Sequence, residues 1–314
     1  MKLALVFPGQ GSQFVGMGKA ISQWSSKARE VFEEADDVLR YPLSRLCFEG
    51  PEEKLKLTEN TQPAILTVSI AAVRALESQV RLSPSWVAGH SLGEYSALVA
   101  AGSFSLADTL RAVRERGKAM QEAVREGVGS MAALLGMGRE EIDAICAEMT
   151  DDNGLVSSAN FNSPGQIVIA GHREKVQAAM ALFKERGGRR AVELPVSAPF
   201  HCRLMEPAAV RMAQVLEDIT IDSPNPVLIN NAEARPLNSA AQIAPSLIRQ
   251  ITSPVLWEDS MRYVVAEGAG VVLELGPGKV LCGLAKRIDG SLRIQSFGIP
   301  EELDAAVALV EEVS

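Results

Sequence analysis

Short apolar runs alternate with longer helical patterns in the first third of the chain. Residues 3–7 are continuously apolar and of strand length, and a glycine-containing turn and a helical pattern follow them. A stretch of about 20 residues from Thr61, rich in Ala, Leu, Ile and Val, predicts a buried helix. Trp86-Val87-Ala88 predicts a short buried strand, and residues 94–101 predict an alanine-rich helix after a sharp turn. This alternation favours an α/β fold with a largely parallel central sheet.

The middle of the chain predicts a different order of elements. Its pattern predicts strands at 131–136, 155–161, 166–170 and 190–196, with helices at 139–149 and 173–186. A β-α-β-β-α-β order is that of the ferredoxin-like arrangement. We therefore expect a small domain, residues 128–195, inserted into a large α/β domain of residues 1–127 and 196–314. Apolar strands of the large domain resume at 227–229, 271–275 and 292–297.

Composition narrows the class of protein. The 314 residues are 47% hydrophobic and 22% charged, as in a globular protein with one large core. A net charge of −8 argues against a general nucleic-acid binder. No apolar run reaches the ~18 residues that a membrane span needs, and the N-terminal run lacks the features of a signal peptide, so we expect a soluble, cytoplasmic protein. The four cysteines form no C-x-x-C pair, which predicts reduced thiols and no metal site.

The strongest chemical signal is a G-x-S-x-G sequence at Gly89-His90-Ser91-Leu92-Gly93. A predicted strand precedes it and a predicted helix follows it, which is the context of a nucleophile elbow. Ser91 would then stand at the carboxyl edge of the sheet, with the amide of Leu92 directed to where an oxyanion forms. The alternative is a serine that only caps the N-terminus of the following helix.

A serine nucleophile needs a base, and the chain has three histidines. The side chain of His90 should project to the other side of the elbow and pack there, and His172 falls at the start of a predicted helix in the small domain. By elimination, His201 is the predicted base, where the chain re-enters the large domain. Its second ring nitrogen needs an acceptor, which is either an acidic residue or a backbone carbonyl.

A second glycine turn, Gly9-Gln10-Gly11-Ser12-Gln13, follows the first predicted strand. Loops at the carboxyl ends of parallel strands gather at one crevice. The amide of Gln10 is therefore either a second oxyanion donor or part of an ordinary strand-to-helix turn. The turn lacks the third glycine of a dinucleotide-binding fingerprint, so no nucleotide cofactor is expected.

Several short motifs occur together, in order, over essentially the whole chain. They are Phe7-Pro8-Gly9-Gln10-Gly11-Ser12-Gln13, Gly89-His90-Ser91-Leu92-Gly93-Glu94-Tyr95, Arg116-Gly117, Phe161-Asn162-Ser163-Pro164-Gly165-Gln166, His201, Arg249-Gln250 and Gly276-Pro277-Gly278. The set resembles the malonyl-CoA:acyl carrier protein transacylases of type II fatty acid synthesis. It is also similar to the acyltransferase domains of polyketide synthases.

The resemblance implies a large α/β-hydrolase-like domain with a ferredoxin-like insert, in agreement with the pattern of elements. It implies that Ser91 attacks the malonyl thioester and that His201 acts as base and then as acid. The amides of Gln10 and Leu92 would form the oxyanion hole. The main-chain carbonyl of Gln250 would hold the histidine, so that no acidic partner is required.

Arg116 gains a role only through the resemblance. From its position in a predicted helix with other basic residues, a solvated arginine is the expected state. The resemblance instead implies that Arg116 binds the free carboxylate of the malonyl group, which a planar guanidinium can pair through both oxygens. Phe200, directly before the predicted base, is also typical of malonyl rather than methylmalonyl choice in the related polyketide domains.

The expected substrates are malonyl-CoA and acyl carrier protein, with no further cofactor, no nucleic acid and no membrane partner. Acyl carrier proteins are acidic, so an acidic enzyme needs a local basic rim. Arg189-Arg190 and Lys286-Arg287 are candidates for it, and ordinary solvated pairs are the alternative. Three other functions stay open: a serine esterase or thioesterase, a discrete polyketide acyltransferase, and a non-catalytic carrier-binding module.

Overall fold

The first third of the chain places helices around two parallel strands. The computed structural model describes residues 1–196 and 198–313. The elements here are β1 (Lys2–Phe7), α1 (Lys19–Trp24), α2 (Ser26–Leu39), α3 (Leu43–Glu49), α4 (Glu52–Leu55), α5 (Thr58–Glu77), β2 (Trp86–Gly89), α6 (Gly93–Ala100) and α7 (Leu106–Glu122). The helix predicted directly after the first glycine turn begins only at Lys19, because residues 8–18 form turns in which Gly11, Gly16 and Gly18 adopt positive φ.

The middle of the chain forms an antiparallel sheet, here called the small sheet. Its elements are β3 (Gly129–Leu135), α8 (Arg139–Met149), β4 (Val156–Ser163), β5 (Gln166–His172), α9 (Arg173–Glu185) and β6 (Arg190–Glu193). The strand order is β4-β5-β3-β6, and every neighbouring pair is antiparallel. The turn predicted at residues 162–165 is shorter than expected, because Asn162 and Ser163 belong to β4.

The last part of the chain completes a second sheet, here called the large sheet. Its elements are α10 (Glu206–Glu217), β7 (Val227–Ile229), β8 (Pro236–Leu237), α11 (Ala240–Thr252), α12 (Trp257–Ala266), β9 (Ala269–Leu275), α13 (Val280–Ile288), β10 (Arg293–Phe297) and α14 (Leu303–Glu311). The strand order is β10-β9-β1-β2-β7-β8, with β8 antiparallel to β7 and the other pairs parallel.

Both faces of the large sheet are covered, which explains why β1 is continuously apolar. Leu3, Leu5 and Phe7 pack into one apolar cluster, and Ala4 and Val6 pack into another on the opposite face. No helix in the described residues is both long and apolar enough to cross a bilayer.

In the described residues, β4 of the small sheet forms two backbone hydrogen bonds with Val255. The amide of Phe161 in β4 donates to the carbonyl of Val255 at 2.9 Å, and the amide of Val255 donates to the carbonyl of Ala159 at 2.9 Å. Val255 lies just before α12, so an edge strand of the small sheet is attached to the segment that leads into that helix.

Candidate active site

Ser91 lies in the sharp turn between β2 and α6, at the carboxyl edge of the large sheet. Its φ is +52°, in the left-handed region that non-glycine residues rarely adopt. The turn is tight enough to require the flanking glycines. A Cβ on Gly89 would lie 1.9 Å from the backbone of Gly93, and a Cβ on Gly93 would lie 2.1 Å from the carbonyl oxygen of Phe7. This is the geometry of a nucleophile elbow.

Asn231 holds this turn from the end of β7. Its Oδ1 accepts a hydrogen bond from the amide of Ser91 at 2.6 Å, and its Nδ2 donates to the carbonyl of Gly89 at 2.7 Å. The side chain is fully buried. The sequence interpretation missed Asn231, although an Asn-Asn pair directly after a predicted parallel strand is a signal that points to the same edge of the sheet.

His201 lies beside the serine, as predicted. Its Nε2 is 2.7 Å from Ser91 Oγ, and its Nδ1 is 2.9 Å from the carbonyl oxygen of Gln250. A carbonyl only accepts hydrogen bonds, so Nδ1 carries the proton and Nε2 is free to accept the serine proton. Burial, and then the positive charge of Arg116, lower the pKa of His201 to about 3. The imidazole is therefore neutral at pH 7, the form that a general base requires.

Arg116 is not the solvated residue that its helix position suggested. It is 1% exposed, and its guanidinium reaches the serine: Nη2 donates to Ser91 Oγ at 3.2 Å and to Gln250 Oε1 at 2.8 Å, while Nη1 donates to Gln62 Oε1 at 2.9 Å. Among the described residues, no carboxylate forms an ion pair with it. The arrangement is a buried cation beside a nucleophile, able to receive an anionic group.

Gln10 and Leu92 lie on the wall of the cavity that holds the serine. The cavity has a volume of about 110 Å³. Its lining residues are Gln10, Gln62, His90, Ser91, Leu92, Arg116, Met120, Met131, Asn160, Leu194, Val196, Phe200 and His201. Within residues 1–196 and 198–313, neither the amide of Gln10 nor that of Leu92 donates a hydrogen bond to a protein acceptor. Both N–H groups are thus without a protein acceptor in this part of the chain.

The other two histidines make different contacts. His90 borders the cavity rather than only packing behind the elbow: its Nε2 is 2.8 Å from Asn162 Oδ1, and its ring lies 5.8 Å from that of Trp257. His172 is the last residue of β5, directly before α9, and its Nδ1 accepts a hydrogen bond from the amide of Leu155 at 3.0 Å. Of the three imidazoles, only that of His201 is hydrogen-bonded to Ser91 in the described part of the chain.

Three further polar residues reach the site without having been predicted. Gln62 contacts Arg116, Asn160 lines the cavity from β4, and Glu94 accepts a hydrogen bond from the side chain of Gln250. Glu94 is the only charged residue of α6, an otherwise largely apolar helix, which is a signal of an internal partner, whereas Gln62 follows four polar residues at the start of α5 and carries no such signal. In the described residues, no three His, Cys, Asp or Glu side chains come together as metal ligands.

Comparison with known proteins agrees with this geometry. Residues 4–288 match the family model described as acyl transferase domain. The chain is 45% identical over 311 residues to a malonyl CoA-acyl carrier protein transacylase of Bacillus subtilis, which covers 99% of this chain and 98% of that protein.

Two solved structures have the same fold at similar identity. An acyl-carrier-protein-S-malonyltransferase from Bartonella henselae superposes with a TM-score of 0.96 at 45% identity, covering 99% of this chain and 100% of that one. A malonyl-transacylase in complex with its type II polyketide acyl carrier protein gives a TM-score of 0.95 at 44% identity, covering 98% and 99%. The chain therefore belongs to the acyl transferase family and, within it, to the malonyl CoA-acyl carrier protein transacylases.

Proposed function

We propose that the protein transfers a malonyl group from coenzyme A to the phosphopantetheine thiol of acyl carrier protein through an ester on Ser91. The observation that carries this proposal is the meeting of three groups at one atom. Ser91 Oγ lies within hydrogen-bonding distance of a neutral imidazole of His201 and of a buried guanidinium of Arg116. The imidazole provides a base, and the guanidinium provides a counter-ion for a dicarboxylic acyl group.

In the first half-reaction, Ser91 Oγ attacks the thioester carbonyl carbon of malonyl-CoA while its proton moves to His201 Nε2. The amides of Gln10 and Leu92 stabilise the oxyanion of the tetrahedral intermediate. The carbon–sulfur bond then breaks, and the imidazolium returns its proton to the departing thiolate of coenzyme A. The carbonyl of Gln250 keeps Nδ1 protonated throughout, so Nε2 can alternate between base and acid.

Arg116 provides the selectivity for malonyl in this scheme. Its guanidinium pairs the free carboxylate of the acyl chain through two hydrogen bonds. An acetyl group leaves the buried guanidinium without that counter-ion. Because an unpaired buried polar group is costly, we expect malonyl to be favoured over acetyl by about 10⁴.

In the second half-reaction, the thiol of the carrier's phosphopantetheine arm attacks the ester carbonyl carbon while His201 Nε2 accepts the thiol proton. The bond between that carbon and Ser91 Oγ then breaks, and the imidazolium returns the proton to Ser91 Oγ. Malonyl-CoA and acyl carrier protein are then the two substrates, and the scheme needs no further cofactor. Four basic side chains are exposed on two elements of the fold, Arg189 and Arg190 at β6 and Lys286 and Arg287 on α13. These are the proposed contacts for an acidic carrier.

The pathway proposed is fatty acid synthesis. The alternative is a malonyl acyltransferase that serves a type II polyketide pathway. One specific finding favours this second candidate: the similarity at 44% identity to a malonyl-transacylase solved with a polyketide carrier. Comparison of malonyl transfer to carriers of both pathways distinguishes the two candidates.

The proposed domain organisation is a ferredoxin-like unit, residues 128–195, inserted into an α/β-hydrolase-like domain of residues 1–127 and 196–314. The β-α-β-β-α-β order and the antiparallel strand order β4-β5-β3-β6 support the first assignment. The elbow at the carboxyl edge of a parallel sheet supports the second. Four unpaired cysteines are consistent with the reducing cytoplasm as the proposed location.

The direct test is covalent labelling with radioactive malonyl-CoA. We expect one malonyl group per chain in the native protein and none in Ser91→Ala, because the ester oxygen is missing. Adding the carrier in its phosphopantetheine form should then move the label onto the carrier thiol. Absence of label in the native protein, or its retention in Ser91→Ala, contradicts the proposal. Release of the label as free malonate, with none on the carrier, would show an esterase instead.

A further inference from the structure

A second group of contacts lies behind the reacting atoms, around the carboxylate of Glu94. Glu94 is the second residue of α6 and is fully buried. Its Oε2 accepts two hydrogen bonds, from the amide of Asn231 at 2.9 Å and from Gln250 Nε2 at 2.9 Å. Its Oε1 has no hydrogen-bond partner among the described residues. A buried carboxylate without an ion pair is costly, so its contacts need a reason.

We propose that Glu94 is a positioning residue that holds the nucleophile turn, the carboxylate-binding arginine and the base in one arrangement, and that malonyl selectivity depends on it. The inference rests on the proposed malonyl transfer. Glu94 touches none of the reacting atoms, and it acts through Gln250 and Asn231.

The first connection runs through the side-chain amide of Gln250. Arg116 can only donate, so the amide must direct its oxygen toward the guanidinium, and it does so at 2.8 Å. The nitrogen then faces the carboxylate of Glu94 and the carbonyl of Ser91, at 2.9 and 3.0 Å. Because a carboxylate accepts where an amide nitrogen donates, Glu94 selects this orientation over the flipped one. With no acceptor at Glu94, the amide loses one of its anchors and Arg116 Nη2 loses a fixed acceptor.

The second connection runs through the two backbones. Glu94 fixes the amide of Asn231, whose side chain in turn holds the amide of Ser91 and the carbonyl of Gly89. The carbonyl of Gln250, whose side chain Glu94 anchors, accepts from His201 Nδ1. Glu94 Oε2 is therefore connected to the elbow through Asn231. It is connected to the base and to the guanidinium through Gln250.

The bonds to Glu94 do not require its charge. Both donors use the same oxygen, and the other oxygen is free to carry a proton. Burial raises the pKa of Glu94 to about 7, so neutral and charged forms coexist near neutrality, and either form keeps Oε2 as the acceptor. A glutamine can reproduce this, with its carbonyl oxygen in the place of Oε2, whereas a methionine of similar length cannot.

The experiment compares Glu94→Gln and Glu94→Met. The readout is the ratio of malonyl to acetyl transfer onto Ser91 from the two CoA thioesters, together with the melting temperature. We expect Glu94→Gln to stay within about threefold of the native ratio. We expect Glu94→Met to lower the ratio at least about tenfold, because malonyl transfer needs an ordered Arg116 and acetyl transfer does not. A role confined to folding would lower both rates equally and leave the ratio unchanged.

Glu274→Met is the matched control. Glu274 is also fully buried and also accepts from two backbone amides, those of Leu281 and Cys282. In the described residues it forms no hydrogen bond with the residues around Ser91, so its loss should lower the melting temperature while the malonyl-to-acetyl ratio stays native.

Gln250→Met gives an independent measurement if Glu94→Met folds poorly. It removes the amide through which Glu94 reaches Arg116 while keeping the backbone carbonyl at His201. It should lower the ratio as much as Glu94→Met, and the double variant should lower it no further, because only the connection through Gln250 reaches Arg116, on which the ratio depends, whereas the connection through Asn231 affects both rates alike. A native ratio in folded Glu94→Met or in Gln250→Met, full additivity in the double variant, or equal damage from Glu94→Gln overturns the inference. Failure of the native protein to accept any malonyl label would instead overturn the proposed function.

Discussion

The two sheets contribute to the cavity in different ways. The large sheet is parallel except for β8, and the turns that leave the carboxyl edge of its parallel strands carry Ser91 and Asn231. The small sheet is antiparallel and supplies wall residues, Met131 on β3 and Asn160 on β4. Parallel strands all end at the same edge of a sheet, so the loops that follow them, with their free backbone groups, lie close together. The small sheet instead contributes side chains from one face of its strands. We therefore expect chemistry on the large-sheet side and acyl-chain fit on the small-sheet side.

Removal of the buried cation should have the largest effect. Arg116→Ala removes the counter-ion for the malonyl carboxylate, and we expect the preference for malonyl over acetyl to fall by about 10⁴. Acetyl transfer should be retained or raised. The measurement is the rate of Ser91 acylation by each CoA thioester. An equal loss for both substrates would contradict the assigned role of Arg116.

Removal of the base should slow both substrates together. For His201→Ala we expect acylation of Ser91 to fall by about 10²–10⁴ with malonyl-CoA and with acetyl-CoA alike, because general-base assistance does not depend on the acyl chain. Rapid-quench measurement of the ester follows this step. A loss of less than about tenfold, in protein with a native melting temperature, would show that another group accepts the serine proton.

Loss of the Asn231 side chain, which holds the elbow through two hydrogen bonds, should slow acylation of Ser91. Asn231→Ala leaves the amide of Ser91 and the carbonyl of Gly89 without their partners. Each such loss costs about 1–3 kcal/mol, which corresponds to about 5–150-fold in acylation rate if the turn loosens. Asn231→Asp, which keeps the acceptor for Ser91, should lose less. Equal acylation rates in Asn231→Ala and the native protein would show that the Asn231 side chain does not support the elbow of the large sheet.

The small-sheet side should change fit rather than chemistry. Met131 lies on the cavity wall and is 4% exposed. Met131→Ala enlarges the cavity, and we expect malonyl transfer to fall by less than about tenfold while bulkier branched malonyl derivatives gain relative to malonyl, since a methylene in an apolar pocket counts for about 1–3 kcal/mol. Competition between acyl-CoA thioesters, followed by the intact mass of the acylated chain, gives the ratio. A loss as large as that of His201→Ala would contradict the division between the sheets.

The smallest expected effect is that of pH. With its pKa lowered to about 3, His201 stays neutral between pH 8 and pH 5, where a histidine with an ordinary pKa of about 6.5 would become almost fully protonated. The base is the neutral form, so activity would be lost only as pH falls toward the lowered pKa. We expect the rate of Ser91 acylation to change by less than about threefold across this window. A decline centred near pH 6.5 would contradict the burial argument.

Local signals predicted much of the fold. The strand at β7 and the helix α8 have the predicted bounds, and β1 and β2 differ by one residue at one end, because continuous apolar runs and terminating glycines are local features. Helix α5 begins at Thr58 rather than Thr61, and the residues between the first glycine turn and Lys19, which form no helix, were predicted as helix. Both errors concern the ends of elements, where polar residues and turn geometry decide rather than periodicity.

The site was predictable only where its chemistry is contiguous or scarce. Five adjacent residues encode the elbow, and three histidines left little choice of base. Arg116 is different: it lies on an amphipathic helix with other basic residues, and only the tertiary fold decides that this one is inward. Asn231 forms its hydrogen bonds with Ser91 and Glu94 across 140 and 137 positions of the sequence. No local sequence pattern contains such a pair.

The buried guanidinium of Arg116 also has a consequence for folding. A desolvated cation without a carboxylate beside it costs several kcal/mol, and its Nε has no hydrogen-bond partner in the described structure. An apolar residue of similar volume at this position should give a protein that is more stable against unfolding but inactive in malonyl transfer. If the malonyl carboxylate pairs with this guanidinium as proposed, the acylated form should melt at a higher temperature than the empty one. Part of the free energy of unfolding is thus gained only when the malonyl group is bound at Ser91.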